Sequence, residues 1–304
     1  MPAAKELPFS HHLKKFKKSL SAKRDASVPR LVLLIMGNTH DKTLSRECKK
    51  DMNAIRTVFK NACKHFNLDF KTIDVAGKHY RWDNLDKAID CIHTDQDFNA
   101  VNADDIVVFY YTGHGFSYDK DRYTRYPQLD MRPHNKQVHY NNINFIKDNT
   151  LNLEAVLNII RFKGKRVNIA IADCCNTTIP YKRPKANLHD MWVSGQILPA
   201  KKSKLTKRSY TDDNTEVSIL VGSSQFGQPA VTDSKMGSLF THFFAKAFNA
   251  LLTGKHRGEA YIPWVKILKK VAAQALKESK GYDVGGGVAG KQKAVFQVYA
   301  GQGI

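Results

Sequence analysis

The chain has 304 residues, of which 42% are hydrophobic and 10% aromatic, so it can bury a core and is too apolar to be disordered as a whole. Its 48 Lys and Arg residues outnumber its 28 Asp and Glu residues, giving a net charge of +20 that would suit an anionic partner. The longest apolar stretch, Leu31 to Met36, is too short to cross a bilayer, and we expect neither a signal peptide nor membrane contact.

Strand and helix patterns alternate from residue 31 onwards. Runs that favour strands occur at six places: 31–36, 70–75, 105–112, 167–172, 216–221 and 294–299. Helical spacing of apolar residues predicts five helices: 45–64, 82–92, 151–162, 234–252 and 261–279. The polar residues 116–150 are expected to form a large loop region. This alternation predicts an α/β fold with a six-stranded, mostly parallel sheet sandwiched between helices.

Two segments hold most of the excess charge. Residues 1–30 carry a net +6 and residues 179–210 a net +7, so these segments hold thirteen of the twenty excess charges. Neither shows sustained periodicity, and like charges oppose compaction. We therefore divide the chain into four parts: a basic tail or prosegment at 1–29, the larger part of one domain at 30–178, a basic linker at 179–214 and the smaller part of the same domain at 215–304.

The five cysteines are an odd number without the spacing of a disulfide framework. This pattern favours a reducing compartment, and a cytoplasmic location is the expectation that follows. We also expect the chain to be a monomer.

Reactive side chains follow two neighbouring strands of the predicted sheet. The third strand ends in TGHG at 112–115, and the fourth ends in DCCN at 173–176. Because open α/β sheets hold their sites at the carboxyl ends of their strands, His114 and a cysteine are expected to meet there. An imidazole that exchanges a proton with a thiol is what nucleophilic thiol catalysis needs. The backbone amides of Gly115 and Cys175 are the candidates for an oxyanion hole.

The YYTGHG block and the following D-x-C block resemble those of the caspase-like cysteine peptidases, and specifically the metacaspases, from about residue 30 to about residue 300. The stretches VGSSQFGQPA and GSLFTHFF resemble the small-subunit strand and helix of that family. The chain departs from the family pattern at Thr112, where serine is usual, and at Asn176 and Thr177, where His-Ser-Gly is usual. It also lacks the Q-A-C-x-G sequence of true caspases, so a preference for aspartate is not implied.

The resemblance implies a thiol endopeptidase with His114 as general acid and base. The family spacing from Asp173 assigns the nucleophile to Cys175 and leaves Cys174 as the variable middle residue. Adjacent side chains leave a strand in opposite directions, so only one of the two cysteines can face His114. The alternative is that both are small core residues at a strand end.

The resemblance further implies cleavage after Arg or Lys. Asp51 and Asp173 are expected to converge on one rim, where two carboxylates can pair with a cation on the substrate. The alternative for Asp51 is that its negative charge stabilises the first turn of a helix through the helix dipole. The residues that match the primary specificity pocket of metacaspases are Cys48, Asp51, Thr112 and Asp173.

Two regulatory features are also expected, although the chemistry needs no cofactor. Many metacaspases are activated by calcium, and the loop after the histidine offers Asp119, Asp121 and Asp130 as ligands. The segment after Cys175 is basic, so a solvated polar loop is the alternative. A self-processing zymogen is the second feature, because the long linker is rich in the Lys and Arg residues that the expected activity would cleave. The expected self-cleavage sites are Lys201, Lys202, Lys204, Lys207 and Arg208, and the alternative is that the linker is only a solvated loop.

A different class of function stays open alongside the peptidase. A catalytically weak caspase-like interaction module would use its basic tail and linker to bind anionic partners. No RNA-recognition motif, zinc finger or aromatic-interleaved strand accompanies the charge runs, so nucleic-acid binding is not favoured as the main role.

Overall fold

The computed structural model describes residues 8–20, 28–94, 105–118, 125–133, 142–161, 167–179, 215–253, 262–284 and 289–302. These residues contain seven α-helices: α1 (Phe9–Leu20), α2 (Ser45–Phe66), α3 (Trp82–Thr94), α4 (Ile143–Asn149), α5 (Leu153–Arg161), α6 (Leu239–Thr253) and α7 (Trp264–Ser279). They also contain twelve strands: β1 (Arg30–Gly37), β2 (Asp69–Ala76), β3 (Ile106–Gly113), β4 (Gly115–Tyr118), β5 (Gln128–Asp130), β6 (Thr150–Asn152), β7 (Val167–Cys174), β8 (Thr177–Ile179), β9 (Thr215–Gly222), β10 (Thr232–Asp233), β11 (Gly237–Ser238) and β12 (Val295–Gln302).

Six strands form a central sheet in the order β12-β9-β7-β3-β1-β2. All neighbours are parallel except β12, which runs antiparallel to β9 at one edge. Gly37 lies opposite Thr112, and Thr112 lies opposite Asp173, so β1, β3 and β7 end at the same edge of the sheet. The predicted α/β fold with a six-stranded, mostly parallel sheet is therefore confirmed.

Helices cover both faces of the central sheet, because the central strands carry apolar residues on both faces. All eight residues of β1 are buried. Alternate residues from Val32 to Met36 pack with α1, α3 and α5, whereas alternate residues from Leu31 to Ile35 pack with α2, α6 and α7. Among the described helices, none has the length and apolar character that a membrane span requires.

Regular structure occupies the described part of residues 116–150, where the sequence predicted a loop. Strands β4, β5, β6 and β8 form a second sheet in the order β6-β5-β4-β8, and α4 precedes β6. Each of these strands has only three or four residues, which is too short to show an alternating pattern. This second sheet begins at Gly115, directly after His114.

Three helices begin later than the sequence predicted, and the one expected over 261–279 begins at Trp264. The helix expected over 234–252 begins at Leu239, because β10 and β11 pair as a hairpin just before it. Gly237 in this hairpin has a φ of 85°, which favours glycine. The helix expected over 151–162 begins at Leu153, because residues 150–152 pair with β5.

The expectation of an uncompacted tail is wrong for residues 9–20, which form α1. Phe9, Phe16 and Leu20 lie on one face of this helix and are buried against the α3 and β2 side of the core. The lysines of α1 lie on the exposed face, where their charges stay hydrated. Burial of the two phenylalanines and the leucine outweighs the repulsion between the lysines.

A buried ion pair holds the chain where α1 leads into the sheet. Arg30 is only 1% exposed, and its guanidinium lies 3.2 Å from the carboxylate of Asp105. Its Nη1 also donates to the carbonyl of Leu20, the last residue of α1, at 2.9 Å. Arg30 therefore belongs to the core, although its charge was included in the net +6 of residues 1–30.

Candidate active site

His114 and Cys175 follow register-paired residues of two adjacent strands. Gly113 in β3 lies opposite Cys174 in β7, so the next residue of each chain segment leaves the sheet at the same edge. A pocket of about 160 Å³, named here the edge pocket, opens at this point. The edge pocket is lined by all six side chains predicted for catalysis and specificity: Cys48, Asp51, Thr112, His114, Asp173 and Cys175.

The two adjacent cysteines have different surroundings. Cys174 is 2% exposed and belongs to the hydrophobic core, and burial raises the pKa of its thiol far above the usual value. Cys175 is partly exposed. Burial also raises the pKa of the Cys175 thiol, and the backbone N–H of Ala230 opposes this effect by donating to its Sγ at 3.3 Å. Of the two thiols, Cys175 is therefore the one that a substrate can reach.

Glycine is required at position 115, because the two cysteines lie against it. A Cβ placed on Gly115 would lie 2.4 Å from Sγ of Cys174 and 2.5 Å from the carbonyl oxygen of Cys175. Any side chain there would push the end of β7 away from β4. The absence of a side chain therefore keeps the His114 and Cys175 segments in close contact.

Two peptide groups at this edge have their carbonyls directed into the protein. The His114 carbonyl accepts hydrogen bonds from Tyr111 Oη at 2.6 Å and from the Asp130 N–H at 3.1 Å. The Cys174 carbonyl accepts from the hydroxyls of Ser224 at 2.8 Å and Ser223 at 3.2 Å. Because the C=O and N–H of a trans peptide point in opposite directions, the N–H groups of Gly115 and Cys175 point away from these buried donors.

The His114 ring is held by a carboxylate from the loop between β1 and α2. Its Nε2 lies 2.9 Å from Oδ2 of Asp41. Partial burial raises the pKa of Asp41, but hydrogen bonds from Thr43 and His114 outweigh that effect and lower the pKa to about 2. Asp41 is therefore an ionised hydrogen-bond acceptor at neutral pH.

Asp51 lines the edge pocket and is 1% exposed. Its Oδ1 accepts from the Ser238 N–H at 2.9 Å, and its Oδ2 accepts from Ser238 Oγ at 2.5 Å and Thr112 Oγ1 at 3.0 Å. Burial and the nearby charge of Asp173 raise the pKa of Asp51 to about 7. Although three donors form hydrogen bonds with this carboxyl, a fraction of the molecules still holds a proton on it at neutral pH.

Asp173 is the second buried carboxylate of the edge pocket, at 2% exposure. Its Oδ2 accepts from the N–H and the Oγ1 of Thr241, at 3.0 and 2.6 Å. Its Oδ1 is buried without a hydrogen bond of normal geometry among the described residues, although the hydroxyls of Ser223 and Ser238 lie near enough to lower the pKa of this carboxyl. Burial raises the pKa of Asp173, so the site favours a proton or an external cation on this oxygen.

Cys48 fills the space beside these carboxylates. Its Sγ lies 3.6 Å from both the Oγ1 and the carbonyl oxygen of Thr112. Burial raises the pKa of its thiol to about 12, so Cys48 is a neutral wall of the pocket rather than a second thiolate.

Sequence reasoning missed several residues that shape this site. Asp41 contacts His114, Ala230 contacts Cys175, and Ser238 and Thr241 hold the two carboxylates. Ser238 and Thr241 lie in the GSLFTHFF stretch, so the resemblance located their segment but gave them no role. Glu47, also missed, lines the edge pocket one helical turn before Asp51.

The described residues do not test the expected calcium site, because Asp119 and Asp121 lie outside them. Asp130 is fully buried, and its carboxylate accepts from the side chain of Arg132 at 2.8 Å. Within the described stretches, no cluster of three or more His, Cys, Asp or Glu side chains suits a metal ion. The predicted self-cleavage residues of the basic linker, 201–208, also lie outside the described residues.

A family model described as the caspase domain matches residues 30–296. No curated protein sequence matches the chain closely enough to count as a relative.

Proposed function

Given that this chain belongs to the caspase-domain family, we propose that it is a cysteine endopeptidase that cleaves the peptide bond after an arginine or lysine. A peptidase of this family acts on protein or peptide substrates. In this proposal Cys175 is the nucleophile and His114 is the general acid and base. Thr112, Cys48 and the carboxylates of Asp51 and Asp173 form the pocket for the basic side chain.

Thiol chemistry at the edge pocket proceeds through a thioester. His114 takes the proton of the Cys175 thiol as Sγ attacks the scissile carbonyl carbon. His114 then gives that proton to the leaving nitrogen as the C–N bond breaks, which leaves the acyl group on Sγ. A water molecule gives a proton to His114 and attacks the thioester, and Sγ leaves and regains the proton as the acid product departs.

Proton transfer accompanies the attack rather than preceding it. Burial raises the pKa of the Cys175 thiol, which favours the neutral thiol in the free enzyme. A nearby base that removes the proton only as the carbon–sulfur bond forms avoids the cost of a buried thiolate.

The amides of Gly115 and Cys175 are the proposed oxyanion hole. Their partner carbonyls are engaged inside the protein, which fixes both peptide planes before substrate binds. Donors that are already oriented stabilise the negative charge on the carbonyl oxygen without rearranging during the reaction.

The lack of a normal hydrogen bond at Oδ1 of Asp173 is the observation that carries the proposed specificity. A buried carboxylate oxygen without such a bond is costly, and the ammonium or guanidinium of a substrate would supply it. Asp51 adds a second carboxylate to the same pocket. An aspartate side chain would bring a further negative charge beside these two carboxyl groups, so substrates with aspartate at this position are disfavoured.

A set of four peptides that differ only before the scissile bond tests this function. Arginine and lysine are compared with aspartate and with citrulline, which has nearly the shape of arginine without its charge. We expect kcat/KM for arginine to exceed that for citrulline by about 100-fold, as for loss of one partner of a buried charge pair. Each peptide is measured in chelator and in calcium, which also tests calcium as an activator.

Two results would contradict the proposal at different levels. Equal rates for the arginine and citrulline peptides would mean that the carboxylates do not recognise charge. Absence of turnover for every peptide, with and without calcium, would contradict the peptidase function itself.

Self-cleavage in the basic linker is a second part of the proposal. The linker carries five basic residues within 201–208, and the proposed specificity would recognise them. We expect mass spectrometry of the purified chain to find fragments that end at these residues, and to find the Cys175→Ala variant intact. A wild-type chain that is intact at full activity would show that processing is not required.

A further inference from the structure

We propose that Asp41 is a positioning residue for His114, which holds the ring so that Nδ1 is the nitrogen that exchanges a proton with Cys175. This role rests on the proposed peptidase function. It adds a third side chain to the His114 and Cys175 pair, from a loop that the sequence motifs do not include.

The contact between the two side chains is direct. Oδ2 of Asp41 lies 2.9 Å from Nε2 of His114, within the range of a charge-assisted hydrogen bond. Because the Asp41 carboxylate is ionised, it can only accept, so Nε2 must carry the proton. In the neutral ring the free lone pair is then on Nδ1, and this is the nitrogen available as a base.

The other oxygen of Asp41 is fixed by its own loop. Oδ1 accepts from the N–H and the Oγ1 of Thr43 at 2.8 and 2.5 Å, and from the N–H of Leu44 at 3.2 Å. These three donors leave Oδ2 as the oxygen that faces His114. The carboxylate therefore cannot rotate away from the ring without losing bonds to its own loop.

The loop that carries Asp41 is attached to the strand that carries His114. The Asn38 N–H donates to the carbonyl of Thr112 at 3.0 Å, and the Oδ1 of Asn38 accepts from the Asp41 N–H at 3.2 Å. Thr112 lies two residues before His114. These two hydrogen bonds connect Asp41 through Asn38 to Thr112, and they therefore fix the distance between the carboxylate and the imidazole.

Partial exposure of Asp41 and His114 to solvent limits how much the charge of Asp41 can contribute to kcat. The side chain of Asp41 is 20% exposed and that of His114 is 35% exposed, so solvent screens the charge pair in part. For one hydrogen bond to a charged group, we expect a loss of about 10- to 100-fold in kcat when the charge of Asp41 is removed. The substrate does not touch Asp41 in this proposal, so KM should change little.

Two substitutions in the same loop test the role by kinetics. Asp41→Asn keeps the size of the side chain and removes its charge, and we expect the fall in kcat with nearly unchanged KM. Ser45→Ala is the matched control, because its hydroxyl bonds the Thr39 carbonyl at 2.7 Å and not the Asp41 carboxylate. We expect this control to stay within about twofold of wild type. An Asp41→Asn enzyme with wild-type kcat would overturn the proposal, and so would equal losses in both variants.

A second measurement does not depend on turnover. Ring-nitrogen NMR of the Cys175→Ala chain reports which nitrogen of His114 carries the proton. We expect a proton on Nε2 with Asp41 present and a mixture of tautomers when Asp41→Asn is added. A proton on Nδ1 in the chain that retains Asp41 would overturn the proposal. A chain without peptidase activity would contradict the proposed function, whereas the tautomer would still decide the role of Asp41.

Discussion

Cys175→Ala is expected to abolish cleavage of arginine peptides, whereas Cys174→Ala is expected to retain most of it. Loss of the nucleophile removes the covalent route, and in enzymes with a comparable nucleophile and base this costs about 10⁴-fold or more in kcat. Cys174 is buried in the core beside Gly115, so its replacement removes packing but no reacting atom. Measurement of kcat/KM for both variants on one arginine peptide checks the assignment.

Alkylation of the folded protein provides a check that is independent of turnover. Four of the five cysteines are buried, and Cys175 is the partly exposed one. We expect a small alkylating agent to label Cys175 first, as located by mass spectrometry, and activity to fall in proportion. Loss of activity in Cys174→Ala with the fold intact would show that the nucleophile is wrongly assigned.

Asp173→Asn is expected to lower kcat/KM for arginine peptides by about 100- to 1000-fold, equivalent to about 3 to 4 kcal/mol. The amide oxygen can still accept both hydrogen bonds from Thr241, so the local fold can be kept. The amide nitrogen would take the place of Oδ1, where it presents hydrogens to the substrate cation.

The citrulline peptide is the control for this substitution. Because citrulline is neutral, its kcat/KM should change far less than that of the arginine peptide. Asp51→Asn is a less clean variant, since both oxygens of Asp51 accept hydrogen bonds and an amide nitrogen would face a donor. Equal losses for arginine and citrulline in Asp173→Asn would indicate a structural defect and contradict the role of the charge.

The raised pKa of Asp51 predicts how the preference for arginine over citrulline changes with pH. The pKa of Asp51 is raised from 3.8 to about 7, so the empty pocket holds a proton below neutral pH. A cationic side chain binds best when that proton has left. The ratio of kcat/KM for arginine over citrulline should therefore rise as the pH increases through about 7. The titration of the catalytic residues affects both peptides and does not contribute to this ratio.

The stability of the free protein should change in the opposite direction. A carboxyl whose pKa is raised by folding holds a proton that the unfolded chain has already lost. This contribution makes the folded state less stable as the pH increases from about 4, the usual value for aspartate, to about 7. Asp173→Asn removes the repulsion between the carboxylates and should reduce this slope in denaturant unfolding.

Much of the fold could be predicted from the sequence because the central strands are apolar on both faces. Strands β1, β3 and β7 stand out as short apolar runs, and the blocks TGHG and DCCN mark the edge where they end. Parallel strands in register bring those blocks together, so the position of His114 and Cys175 on one edge follows from the pattern.

The parts that could not be predicted depend on side-chain contacts between distant segments. The Asp41 carboxylate meets His114 across 73 residues, and Ser238 meets Asp51 across 187 residues. A polar residue in a loop gives no periodic signal that such a partner exists. Helix α1 was missed for another reason, because its lysines concealed the spacing of Phe9, Phe16 and Leu20.

The edge pocket is built from chain segments on both sides of the basic linker. Asp51 and Asp173 precede the linker, whereas Ser238 and Thr241, which hold them, follow it. Strands β7 and β9 also pair directly across it in the central sheet. A cut in the linker would therefore leave two pieces that share one core and one pocket. Their folding would change from a unimolecular to a bimolecular reaction, so the stability of the cut protein would depend on its concentration.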